Sequence, residues 1–201
     1  MPNNLHESYF AHLNQISLLG KVPKRCFSSR VIYYLAKSFG NKIAEIGPGT
    51  GNGILGAYPE TVTGFEINSL AVDYCKNNNL NVHLIYEDKS YPVQDREFDV
   101  CVLDNVLEHL TNPALILSEC ARIGSEKSGL VIVVPRDKGF LRDSDHKIHY
   151  KERDLENLSE SWQHLKTISM SFFIKSNFFV KTCVAILFGG CLQKTIANGC
   201  F

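Results

Sequence analysis

The chain has 201 residues, of which 44% are hydrophobic and 21% charged. That length and balance suit one globular domain and exclude long disorder. Lys and Arg total 21, Asp and Glu total 21, and the formal net charge is zero, which removes any broad electrostatic reason to bind nucleic acid or an anionic membrane.

Residues 1–40 read as helical. Leu13, Ile16 and Leu19, then Val31, Tyr34 and Leu35, fall at helical spacing; Gly20 and Pro23 break the run between them, and Gly40 reads as a stop. From residue 42 the pattern changes. Short apolar runs predict strands at 42–46 (KIAEI), 62–67 (VTGFEI), 82–86 (VHLIY), 98–103 (FDVCVL) and 130–134 (LVIVV). Helices are expected between them, at Ser69 to Asn77 with Ser69 as N-cap, and at Pro113 to Ile123 with Asn112 capping. Another is expected near Glu152 to Glu160. Strands alternating with helices predict an α/β, doubly wound, mostly parallel sheet. After residue 164 the alternation stops, and 164–174 and 180–192 read as an antiparallel hairpin across a short Lys-Ser-Asn turn.

Seven cysteines stand at 26, 75, 101, 120, 183, 191 and 200, with no CxxC spacing. Neither a disulfide framework nor a thiolate zinc site is suggested, and a reducing cytosol is the simpler expectation. The start, MPNNLHESYF, lacks the basic and apolar pattern of a signal peptide. The longest uncharged part of the apolar C-terminal region, Thr182 to Leu192, is shorter than the ~20 residues of a membrane span.

The strongest feature is Glu45-Ile46-Gly47-Pro48-Gly49-Thr50-Gly51-Asn52-Gly53. Five of the chain's 14 glycines sit at 47, 49, 51, 53 and 56. Glycine permits positive φ and close backbone approach, at an entropic cost. A cluster directly after a strand, at the carboxyl edge of a parallel sheet, is where such folds place a nucleoside. A plain turn needs one or two glycines. The dinucleotide fingerprint GxGxxG, counted from Gly47, fails at Asn52; the formal match from Gly51 to Gly56 starts too far beyond the strand.

EIGPGTGNG resembles the first motif of class I S-adenosylmethionine-dependent methyltransferases. Further pieces agree in order: Glu66 closes the second strand, 19 residues after Gly47, and DVCVLDNVLEHLTNP, GLVIVVP and the terminal hairpin follow. The resemblance implies a Rossmann-like, seven-stranded sheet over 42–201 with the hairpin at its end. Residues 1–41 would form a helical cap or lid carrying Tyr9, Phe10, Lys21 and Arg25. Lys21, Lys24 and Arg25 read first as a solvated helix end, with recognition of an anionic acceptor as the other reading.

Carried over residue by residue, the resemblance implies S-adenosylmethionine as cofactor. Gly47, Gly49 and Gly51 pass against it, and Glu45 orients the loop and the methionine ammonium. Glu66 takes the ribose hydroxyls, with Ile67 beside it. Glu87 or Asp88 meets the adenine amino group, the register between them being open. Asp104 and Asn105 flank the methionyl part, although Asp104 also reads as a cap for the next helix. Pro59 cuts short the helix after the glycine loop.

The segment 136–150 leaves the carboxyl edge and is expected to border the acceptor cleft. Its DHKIHY stretch resembles an element of small-molecule methyltransferases, and His146, His149 and Tyr150 are the candidates for a base or a hydrogen-bond clamp. The other reading is that Asp145 and His146 only hold the loop. Glu108 and His109 read as packing or pairing within their helix. Asp143, Asp145, His146 and His149 offer metal-ligand chemistry, but no further ligand group is evident and no metal is expected. The place after strand four reads Asp104-Asn105-Val106-Leu107, not an Asn/Asp-Pro-Pro-aromatic motif, and no Pro-Cys nucleophile of cytosine-C5 enzymes occurs. A small-molecule acceptor is therefore expected, with no nucleic acid and no membrane span. The alternatives are a family member that binds the cofactor without transfer, and a nucleotide-sugar or NAD-linked oxidoreductase.

Overall fold

The computed structural model describes residues 28–141, 143–156, 158, 162–174 and 178–189, together with Glu7 and Ala11. The expectations for Tyr9, Phe10, Leu13, Ile16, Leu19, Lys21, Lys24 and Arg25, for Arg142 and for the turn at 175–177 lie outside the described residues.

The first described helix, α1 (Ser29–Lys37), buries Ser29, Ile32, Tyr33 and Ala36. These positions recur at three and four residues and form one stripe. The stripe shares a core with Val100, Val102, Val131 and Val133, so α1 belongs to the layer covering the sheet. Its exit is fixed by Asp99, whose Oδ2 accepts the backbone N–H groups of Asn41 at 2.7 Å and Lys42 at 3.0 Å.

The strands are β1 (Ile43–Ile46), β2 (Val62–Glu66), β3 (Val82–Leu84), β4 (Phe98–Asp104), β5 (Gly124–Pro135), β6 (Gln163–Ile174) and β7 (Phe178–Gly189). Their order is β3-β2-β1-β4-β5-β7-β6. The first five strands pair in parallel. β7 runs antiparallel to both β5 and β6. Strands β1 and β4 alternate between two cores: Ala44, Ile46, Cys101 and Leu103 face one, Ile43, Val100 and Val102 the other. Period-two alternation with both faces apolar requires helices on both sides. They are α2 (Ile54–Ala57), α3 (Ser69–Asn77) and α4 (Ala114–Ile123). Leu117, Cys120 and Ile123 of α4 fill one core, and α1, α2 and α3 fill the other.

Local chemistry shifts several boundaries. Asn68, not Ser69, caps α3, its Oδ1 accepting from the N–H groups of Leu70 at 3.0 Å and Ala71 at 3.2 Å. The cap of α4 is Pro113 rather than Asn112; Asn112, one residue earlier, accepts from Ala114 N–H at 3.0 Å. β5 begins six residues before the predicted Leu130, at Gly124, with a register irregularity opposite Phe98 and Val100. A 3₁₀ turn, Leu107–His109, follows β4; α5 (Asp137–Phe140) and α6 (Glu152–Glu156) follow β5. Among the described residues, no helix is long and apolar enough to cross a membrane.

Candidate functional site

The parallel register places the tips of three strands side by side. Ile46 pairs with both Phe65 and Leu103, so Gly47 stands level with Glu66 on one side and Asp104 on the other. This is the edge where strand order reverses around β1, the usual crevice of a doubly wound sheet.

The glycine loop needs its glycines. Gly47, Gly49 and Gly51 take φ of 69°, 56° and 71°, the left-handed region that costs an L-residue roughly 1–2 kcal/mol. A Cβ on Gly47 would also lie 2.8 Å from Val106 Cγ2, and one on Gly53 would overlap the Glu45 carboxylate. Glu45 is buried, and its oxygens accept the N–H groups of Ile54 at 3.3 Å and Leu55 at 2.6 Å. It satisfies orphan donors at the start of the four-residue α2.

Glu66 is 3% exposed. Its Oε2 accepts Gly49 N–H and its Oε1 accepts Asn68 N–H, both at 2.8 Å. The carboxylate thus turns toward the glycine loop and ties the loop to the start of α3. Beneath the loop, the Cys75 thiol donates to Gly49 O at 3.4 Å. Burial first, then the charges of Glu66 and Glu45, push that thiol up to about 12. Ile67 is exposed at the end of β2, and Glu87 and Asp88 occupy the exposed turn after β3. Asp104 is nearly buried and accepts from Asn105 Nδ2 at 2.7 Å. Asn105 takes φ of 57°, while its N–H donates to Val133 O at 2.9 Å.

The segment after β5 is clipped onto the 3₁₀ turn after β4. Glu108 O accepts from Lys147 N at 2.7 Å and Ile148 N at 3.1 Å. His109 Nδ1 lies 3.1 Å from Asp145 Oδ2. His146 and His149 stack on Phe140 at 5.2 and 4.7 Å between centroids. His146 Nδ1 lies 2.7 Å from Phe140 O, and His149 Nε2 accepts Asp137 N–H at 3.1 Å. Tyr150 is buried, and burial, then the charges of Glu108 and Asp154, raise its phenol above the ordinary value.

The structure does not gather the sequence-derived candidates into one group. His149 turns to Asp137, whereas His146 meets Glu108 and His109. The set Asp143, Asp145, His146 and His149 is not brought together; among the described residues the grouped metal-ligand side chains are Glu108, His109 and His146. Sequence reasoning took Glu108 and His109 as helix packing. Only the adjacency of a carboxylate and an imidazole just past a strand tip hinted at more.

A family model described as a methyltransferase domain matches residues 44–132. No curated protein matches the chain in sequence. Solved structures do match in fold. A SAM-dependent methyltransferase of Thermotoga maritima superposes with a TM-score of 0.69 at 14% identity, covering 91% of this chain and 96% of its own. One from Archaeoglobus fulgidus gives 0.64 at 19% identity, over 82% and 94%. One from Methanosarcina mazei gives 0.62 at 17% identity, over 79% and 96%. Residues 44–132 thus match a methyltransferase domain, and the chain shares the fold of these SAM-dependent methyltransferases.

Proposed function

We infer that the protein transfers the methyl group of S-adenosylmethionine to a small-molecule acceptor by in-line displacement. The observation that carries this reading is the Glu66 carboxylate, buried at the tip of β2 and turned onto the glycine loop at Gly49. A carboxylate offers about four acceptor positions, so two backbone N–H groups leave Glu66 capacity for ribose hydroxyls. In the same reading Glu45 holds the loop, Ile67 stands beside Glu66, Glu87 or Asp88 meets the adenine, and Asp104 and Asn105 flank the methionyl portion.

The cofactor supplies an electrophilic methyl on a positively charged sulfur. Once bound, it would give that methyl to an acceptor lone pair, the carbon–sulfur pair passing to sulfur and leaving S-adenosylhomocysteine. The protein's task is alignment and exclusion of water, and orientation contributes up to roughly 7–11 kcal/mol in favourable cases. A base is needed only where the acceptor carries a proton at the reacting atom. His146, His149 and Tyr150 border that side. The raised Tyr150 phenol stays protonated at neutral pH, which suits a hydrogen-bond donor better than a base. The zero net charge and the Asp104-Asn105-Val106-Leu107 sequence in the post-β4 position favour a small acceptor over nucleic acid.

Calorimetric titration with S-adenosylhomocysteine tests the cofactor site. Binding is expected at one per chain; folded protein that binds none overturns the reading. Transfer of tritium from labelled S-adenosylmethionine into fractionated small metabolites tests the acceptor class. Label found only in nucleic acid or protein would replace it.

A further inference from the structure

We propose that Glu108, His109 and His146 form a binding site for one divalent transition-metal ion, whose remaining positions are open to water or to an oxygen of the acceptor. Each of the three residues brings a ligand atom within 4.8 Å of the others. Glu108 Oε1 and His146 Nε2 are 3.9 Å apart. Donors on one tetrahedral zinc-sized ion, at ~2.1 Å from it, lie about 3.4 Å from each other, so the group closes on an ion with shifts of up to about 1.5 Å.

Burial is the first argument. Glu108 is 0% exposed and the His146 side chain 8%. A buried carboxylate beside two imidazoles is a donor set that a transition-metal cation can use.

Tautomer is the second. A backbone carbonyl only accepts, so the contact between His146 Nδ1 and Phe140 O at 2.7 Å requires the proton on Nδ1. In the neutral ring Nε2 then carries a lone pair, and Nε2 is the atom nearest the Glu108 carboxylate. A metal cation between them uses both donors, and a second proton on Nε2 is the competing bridge.

The third argument is orientation from outside the group. His109 Nδ1 rests on Asp145 Oδ2 at 3.1 Å. With one ring nitrogen of each histidine held by an oxygen, both rings have the supported form that metal-binding imidazoles show. The backbone clip of Lys147 and Ile148 onto Glu108 O holds the two contributing segments together.

Two imidazoles and one carboxylate suit zinc, manganese, iron(II) or cobalt, whereas magnesium and calcium prefer all-oxygen shells. Three protein ligands leave at least one position open. The site sits three residues beyond Asn105, on the same edge as the cofactor crevice. Its existence rests on these side chains alone and not on the methyl-transfer reading.

The test is titration of the chelator-treated full chain with Co²⁺ alone, followed by visible absorption and calorimetry, with Zn²⁺ as competitor. One ion per chain is expected, displaced by Zn²⁺, with nitrogen and oxygen ligand-field bands. His146→Gln and Glu108→Gln are expected to weaken binding at least 100-fold. Asp145→Asn, at an exposed position, is expected to weaken it by about tenfold. Should the Glu108 variant fail to fold by circular dichroism, His109→Gln and Asp145→Asn carry the decision. Absence of stoichiometric binding by folded protein overturns the proposal. Equal affinity in the His146 and Asp145 variants, or thiolate charge-transfer bands from cysteine ligation, does the same. S-adenosylhomocysteine binding is measured on the metal-free chain in parallel and is expected to persist, so failure of one assignment is read separately from failure of the other.

Discussion

The two sides of the crevice edge are built differently. On the β1–β2 side, the loop is shaped by backbone: three left-handed glycines, and two buried carboxylates that each accept backbone N–H groups. On the β4–β5 side, the contacts run largely through side chains from distant positions, with His109 and Asp145 separated by 36 residues. In the proposed reading, the first side takes the methyl donor and the second faces the acceptor. Backbone-built sites tolerate little change of residue type, while side-chain-built sites are re-specified by single substitutions.

The largest expected effect falls on the backbone-built side. Glu66→Ala is expected to lower S-adenosylhomocysteine affinity at least 100-fold by calorimetry, with Glu66→Asp retaining more of it. Wild-type affinity in Glu66→Ala would erase the distinction between the two sides. Gly47→Ala comes next: it places a Cβ at φ of 69° and 2.8 Å from Val106 Cγ2. A loss of about 1–2 kcal/mol in stability is expected from the backbone alone, read by chemical denaturation, together with weaker cofactor binding. An unchanged midpoint would mean the loop relaxes freely.

The side-chain mode recurs at Arg122 on α4. Its guanidinium donates to Glu119, to Asp95 at 2.6 Å, and to the carbonyls of Val93 at 3.3 Å and Tyr91 at 3.1 Å. Arg122→Ala is expected to cost about 1.5–3 kcal/mol at neutral pH, the range for hydrogen bonds to a charged group. The pH dependence follows from Glu119. Burial raises its carboxyl, but the Arg122 hydrogen bonds and charge and the Tyr91 N–H outweigh that and leave it lowered. A lowered folded value gives stability that is complete above the unfolded value, near 4.3, and is lost as pH falls through the folded one. Acid denaturation of Arg122→Ala should therefore be shallower below about pH 4 than that of the wild type. An identical acid slope in both would remove this pair from the account.

The smallest effect is chemical. The Cys75 thiol, pushed up to about 12 and buried under Gly49, is expected to resist alkylation at pH 8.5 in the native protein and to react in denaturant. Peptide mass spectrometry reads it. Fast native labelling would show that the glycine loop opens readily.

Much of the first side was legible because its signals are short in sequence. EIGPGTGNG joins strand, turn and helix start within a few residues, and Glu66 follows at the spacing of one βαβ unit. The five parallel strands were legible for the same reason, as apolar runs between capped helices. The capping of α3 was misplaced by one residue because Asn68 and Ser69 are adjacent good caps, and only the observed bonds to Leu70 and Ala71 choose between them. The start of β5 was missed because Ser125 to Lys127 is polar and falls in the irregularity between the Gly124–Phe98 and Gly129–Val100 pairs, outside the apolar run.

By itself, the sequence determined a parallel α/β sheet and a glycine loop with acids at neighbouring strand tips, because periodicity and positive-φ glycines are local properties. Tertiary structure decided which acids and imidazoles meet. His146 and His149 lie three residues apart in similar sequence surroundings, yet one ring reaches Glu108 and the other Asp137. That choice depends on the clip between the segments after β4 and β5, a contact made only once the sheet has brought them side by side.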